Sequence, residues 1–116
     1  MKANELSTKD LMEGDWVYGI FSGCPQERIT MKYSICSNSY EWKYMPIPLT
    51  AEILKKNGFY YDEDRKAYLM GVIFQVKPEK YGLFSFEICG CSYPLNTVHE
   101  LQHALRLCGI EKEIIL

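Results

Sequence analysis

A chain of 116 residues with 47% hydrophobic and 14% aromatic side chains, nine of them Tyr, carries enough apolar material to fold as one domain and too much for disorder. Thirteen basic against fifteen acidic residues leave a net charge of −2, which argues against non-specific nucleic-acid binding, since that draws on an excess of Lys and Arg. The opening Met1–Leu6 lacks the apolar core of a signal peptide, and the longest nearly continuous apolar run, Tyr68–Phe74, is too short to span a bilayer, so a cytoplasmic protein with no membrane partner is expected.

In chain order, Leu6–Met12 reads as one helical turn capped by Ser7, with Asp10 in the capping-box position. Glu13-Gly14-Asp15 then turns the chain into a strand, Trp16–Phe21. After a loop over Ser22–Glu27, Ile29, Met31, Tyr33 and Ile35 alternate with Arg28, Thr30, Lys32 and Ser34, the pattern of a strand with one wet face. Ser37-Asn38-Ser39 suits a hairpin turn into a third strand, in which Tyr40, Trp42 and Tyr44 alternate with Glu41 and Lys43.

Ile47–Phe59 is the best-specified stretch and predicts a short helix. Thr50 is its N-cap, Glu52 complements the dipole, and Leu49 and Leu54 have the spacing of a hydrophobic staple. Asn57-Gly58-Phe59 closes it with Gly in the left-handed position and Phe59 folded back on Leu54. Phe59-Tyr60-Tyr61 leads into a turn at Asp62–Arg65 and a long strand over Lys66–Val76, with Tyr68, Met70, Val72, Phe74 and Val76 on one apolar face. Lys77-Pro78-Glu79-Lys80 is a turn with Pro at its favoured second position, and Tyr81–Cys89 returns as the third strand of a meander. Gly90 and Pro94 end the sheet and Asn96 or Thr97 caps a last helix, Thr97-Val98-His99-Glu100 having capping-box spacing, that runs to about Cys108, where Gly109 and Ile110 repeat the ending of the first helix. The tail Glu111–Leu116 suits an edge strand or a frayed end equally.

Together these elements predict an α+β fold in a single domain, 1–116, with a β-rich half over 1–46 and an α+β half over 47–116. The first half is a three-stranded antiparallel sheet able to curl into a small SH3-type barrel. The second is a connecting helix followed by a three-stranded meander packed by the C-terminal helix.

Several segments taken together resemble a family of small uncharacterised proteins of gut Bacteroidetes and of their phages and mobile elements. The segments are Met1-Lys2-Ala3-Asn4-Glu5-Leu6, Gly14-Asp15-Trp16-Val17, Pro46-Ile47-Pro48-Leu49-Thr50 with Asn57-Gly58-Phe59, and Val98-His99-Glu100-Leu101-Gln102 with Ala104-Leu105 and Gly109. His99, Leu101 and Gln102 match the family's pattern, whereas Glu100 and His103 depart from it. The resemblance implies a scaffold and a genomic setting: a non-enzymatic accessory or interaction protein of a phage or mobile element, with a protein partner.

Three features compete with that expectation. His99-Glu100-Leu101-Gln102-His103 has the His-Glu-x-x-His spacing that lets two imidazoles hold Zn²⁺ while the carboxylate activates water, which would make a zinc-dependent hydrolase. Against it, Arg106 and Gly109 stand where a metzincin needs Gly and His, only Cys89 or Cys91 offers a third ligand, and a helical wheel puts His99 and His103 opposite the stripe of Val98, Leu101, Ala104, Leu105 and Cys108. Tyr40, Trp42 and Tyr44 could stack bases in a nucleic-acid-binding module, although aromatics so placed usually build a core. Cys89-Gly90-Cys91 is one residue short of a redox pair, Asp62-Glu63-Asp64 lacks the ligand spacing of a calcium loop, and the five cysteines, Cys24, Cys36, Cys89, Cys91 and Cys108, suit reduced thiols. No catalytic, cofactor or metal residue is therefore assigned, and oligomeric state is left open.

Overall fold

The structure, a computed structural model, describes residues 6, 10–21, 29–34, 42–71, 74–88 and 91–116. It is α+β, with one three-stranded and one five-stranded antiparallel sheet and two α-helices. The chain parts into two compact units, Met1–Ile47 and Pro48–Leu116.

In the first unit, β1 (Trp16–Phe21) lies between β2 (Ile29–Lys32) and β3 (Trp42–Met45). Val17 sits opposite Met31, and Gly19 is shared between Ile29 and Tyr44. The expected hairpin between the second and third strands is thus replaced by two edge strands flanking the first, and Ser37-Asn38-Ser39 lies outside the described residues. The sequence of β2 explains its place, because a strand whose alternate residues are Thr30 and Lys32 tolerates an edge with a wet face. Among the described residues this sheet is open and no barrel closes. Its core is Leu11, Val17, Tyr33 and Tyr44, with Leu6 and Met31 packed on it and the two Tyr rings edge-to-face at 5.2 Å. Leu6 donates its backbone N–H to the Tyr44 carbonyl at 2.8 Å, so that residue is bridged to β3 and not helical, while Ser7 to Lys9 lie outside the described residues.

The turn before β1 is built on Asp15, which is fully buried. Its backbone N–H donates to the Met12 carbonyl at 3.0 Å, its Oδ2 accepts the Met12 N–H at 2.8 Å, and Gly14 supplies φ +92 between them. Burial raises the Tyr44 hydroxyl above its ordinary pKa near 10, and the neighbouring Tyr33 adds to the rise. A folded-state pKa above the unfolded value means that stability is intact below about pH 10 and is lost as pH climbs through the folded value. Tyr44→Phe should therefore flatten the alkaline limb of a stability-versus-pH curve measured by denaturant titration.

The second unit opens with α1 (Ala51–Lys56), whose N-cap Thr50 accepts the Ile53 N–H on its hydroxyl at 3.2 Å. At its end the Gly58 N–H reaches the Lys55 carbonyl and the Phe59 N–H the Leu54 carbonyl, with Gly58 at φ +90, which is the Schellman motif read from the sequence. A Cβ on Gly58 would meet nothing within 4 Å. Only the left-handed backbone resists a side chain there, so Gly58→Val should cost about 1–2 kcal/mol in chemical denaturation.

Five strands follow in a simple meander: β4 (Tyr60–Asp62), β5 (Ala67–Met70), β6 (Phe74–Pro78), β7 (Phe84–Ile88) and β8 (Cys91–Pro94). The long strand expected over 66–76 is two strands, because the chain reverses after Met70 with Gly71 at φ +65. Met70 pairs with Phe74 and Tyr68 with Val76, so the apolar residues keep one common face through the reversal. That face carries Tyr61, Tyr68, Phe74, Phe84, Phe86 and Tyr93, in ring contacts of 5.1 to 6.3 Å. The Pro78 turn also moves: β6 runs through Pro78, and the reversal spans Glu79–Leu83, closed by the Glu79 N–H on the Leu83 carbonyl at 2.8 Å.

The last helix, α2 (Val98–Leu107), buries Val98, Leu101, Ala104 and Leu105 and ends in a second Schellman motif at Gly109 and Ile110. Beyond it the tail is neither strand nor frayed. Ile114 is 1% exposed, and the side chain of Asn57, itself 1% exposed, brackets the next residue: Nδ2 donates to the Ile115 carbonyl at 2.7 Å and Oδ1 accepts the Ile115 N–H at 2.6 Å. Among the described residues no helix is long and apolar enough to cross a membrane.

Candidate functional site

The His-Glu-x-x-His segment lies in the first half of α2. Thr97, its N-cap, accepts the Glu100 N–H on its hydroxyl at 3.4 Å, and Glu100 Oε1 accepts the backbone N–H groups of Asn96 at 2.9 Å and Thr97 at 3.1 Å. The carboxylate that a zinc hydrolase would aim at a metal-bound water is thus engaged by two N–H groups that the helix end leaves without intrahelical partners.

The two histidines do not share one environment. His99 is buried, at 6% exposure, with Nδ1 3.1 Å from the Thr97 hydroxyl, whereas His103 is half-buried with its ring edge-on to His99 at 5.6 Å between centroids. The expectation that both face solvent fails for His99. Helical side chains lean toward the N-terminus, so His99 in the first turn lies over the Thr97 cap and not out from the wheel position that its sequence number gives. His103→Ala should consequently shift stability by no more than about 0.5 kcal/mol, and His99→Ala, which removes a buried ring and its contact with the Thr97 hydroxyl, by about 1–2 kcal/mol, read from thermal or denaturant melts.

Among the described residues no three His, Cys, Asp or Glu side chains come together in an arrangement that could hold a metal. Cys91 is an exposed free thiol and Cys108 a half-buried one, while Cys24, Cys36 and Cys89 lie outside the described residues. Asp62 caps its own hairpin, its Oδ1 accepting the N–H groups of Asp64 at 2.9 Å and Arg65 at 3.3 Å. Of the aromatic trio on the first sheet, Tyr44 is 3% exposed and is core, which leaves it no face for stacking a base, and Tyr40 and the side chain of Trp42 lie outside the described residues.

Sequence reasoning missed one exposed feature. In the Glu79–Leu83 reversal a 3-10 turn covers Lys80–Gly82, and Tyr81 adopts φ 63 with 94% of its surface in water. Tyr is not a residue that pattern rules place in the left-handed region, so only Gly82 behind it could have hinted at the turn. Leu83, two residues on, is 46% exposed. The chain matches no protein-family model, no curated protein and no solved structure.

Proposed function

We propose that this protein is a non-enzymatic accessory or interaction protein and, following the resemblance set out above, that it serves a phage or mobile element. The observation that carries the interaction reading is Tyr81. An aromatic ring held in water on a left-handed backbone costs about 1–3 kcal/mol of strain without gaining burial, a cost that a contact surface would offset. Tyr is also among the side chains that supply most of the binding energy at protein interfaces.

The hydrolase reading is weaker because Glu100 serves as the capping carboxylate of α2. The test compares tag-free parent protein with Tyr81→Gly, a change the turn geometry favours. Recovery of bound proteins from cells that express the chain naturally, quantified by mass spectrometry, should give a partner held by the parent and lost from a variant of equal or higher melting temperature. Stoichiometric zinc in the parent, lost from His99→Ala/His103→Ala together with a large fall in melting temperature, would instead put the hydrolase first.

A further inference from the structure

The segment after α2 is held in the way that proteins hold an extended peptide. Asn57 pairs with both main-chain groups of Ile115, as a neighbouring strand would, and so reads backbone and not side chain. Its amide is fixed beforehand: Nδ2 also donates to the Ile53 carbonyl at 2.8 Å, and with two carbonyls on the nitrogen and an N–H on the oxygen only one orientation satisfies every partner. Side chains then alternate, Ile114 inward at 1% exposure and Ile115 outward at 56%. Lys56 Nζ donates to the Leu116 carbonyl oxygen at 2.6 Å, one residue further along. No helix or strand includes residues 110–116. With the segment in place every polar atom of the Asn57 side chain is paired, and its release would free one N–H and the Oδ1 for a peptide or for water.

We propose that the surface formed by Ile53, Lys56 and Asn57 is a recognition site for an extended peptide, occupied at rest by the chain's own Ile114–Leu116 and able to take a matching segment of a partner protein when that tail is displaced. The ligand has a branched apolar residue for the Ile114 seat, followed by a residue that keeps its N–H, hence not Pro, and then a carbonyl or carboxylate for Lys56. This rests on the interaction reading and gives it a mode of contact that does not involve Tyr81.

A tethered tail competes at an effective concentration of roughly millimolar, so the parent should bind a free peptide poorly. The test measures fluorescence anisotropy of a labelled synthetic peptide of residues 111–116 with the full-length parent, with Ile114→Asp, which puts a charge where the anchor was buried, and with Ile115→Pro, which deletes the N–H that Asn57 reads. Near-UV circular dichroism establishes that each is folded. Release of the tail should strengthen peptide binding by about tenfold or more over the parent, and Pro in place of Ile115 in the peptide should abolish it. Absence of binding to folded variants, equal binding of the Pro peptide, or unfolding of both variants would each overturn the proposal. Dimers of the parent that exchange this tail would assign the seat to a second copy and overturn the partner reading. Any of these results leaves the Tyr81-dependent capture unaffected, so the two ideas fail separately.

Discussion

Asn57→Asp, which exchanges one amide nitrogen for an oxygen, is expected to lower stability by about 3 kcal/mol or more. In the wild-type chain Nδ2 donates to the carbonyls of Ile53 and Ile115, and an ionised carboxylate would set a buried negative charge against both with no donor to offer. Asn57→Leu should cost less, about 1–2 kcal/mol, since it removes the amide without adding a charge and Ile115 is exposed enough to regain water. The pH dependence separates the two variants. Burial and the facing carbonyls raise the pKa of the introduced carboxyl group in the folded state above its unfolded value, so the Asn57→Asp variant keeps more of its stability below about pH 4 and loses it as pH rises through the folded pKa. Denaturant midpoints of both variants against pH would show a gap that narrows on acidification; parallel curves would mean that the amide is not the clamp described.

The second large effect is expected at Glu100. Glu100→Ala removes the acceptor for the Asn96 and Thr97 N–H groups and should cost about 2–3 kcal/mol, whereas Glu100→Gln keeps an oxygen in place and gives up mainly the charge, for about 1 kcal/mol. A general base would behave otherwise: Gln would be stable and chemically dead. Midpoints of the two variants, with the parent alongside, decide between a capping and a catalytic carboxylate.

What could be read in advance was local. Thr50, Gly58 with Phe59, Thr97 with Glu100, and Gly109 with Ile110 each act within a turn of helix, and a pattern of a few residues contains their whole chemistry. The α+β class followed because alternation survives in most of the strands. The reversal after Met70 was not legible, since it keeps Tyr68, Met70, Phe74 and Val76 on one face and so leaves the period-two pattern unbroken. Nor was the Asn57 clamp, whose partner is 58 positions away and is recognised through backbone groups that every residue possesses. His99 was misplaced because a wheel records direction around the helix axis and not the lean of a side chain along it. The order β2-β1-β3 depends on which strand can bear two neighbours, a property of the assembled sheet.

The outer rim of the second sheet has a bearing on how the molecule behaves at high concentration. All four residues of β8 are exposed, and such a border invites another chain to add on. The Leu95 N–H turns inward to the Phe84 carbonyl at 2.9 Å, and because successive amides point to opposite sides, the nitrogen of Pro94 points outward, where it has no hydrogen to give. An incoming strand would find its ladder broken at that rung. Pro94 thus places a gatekeeper against edge-to-edge aggregation on this border while still standing opposite Ser85 in the ladder.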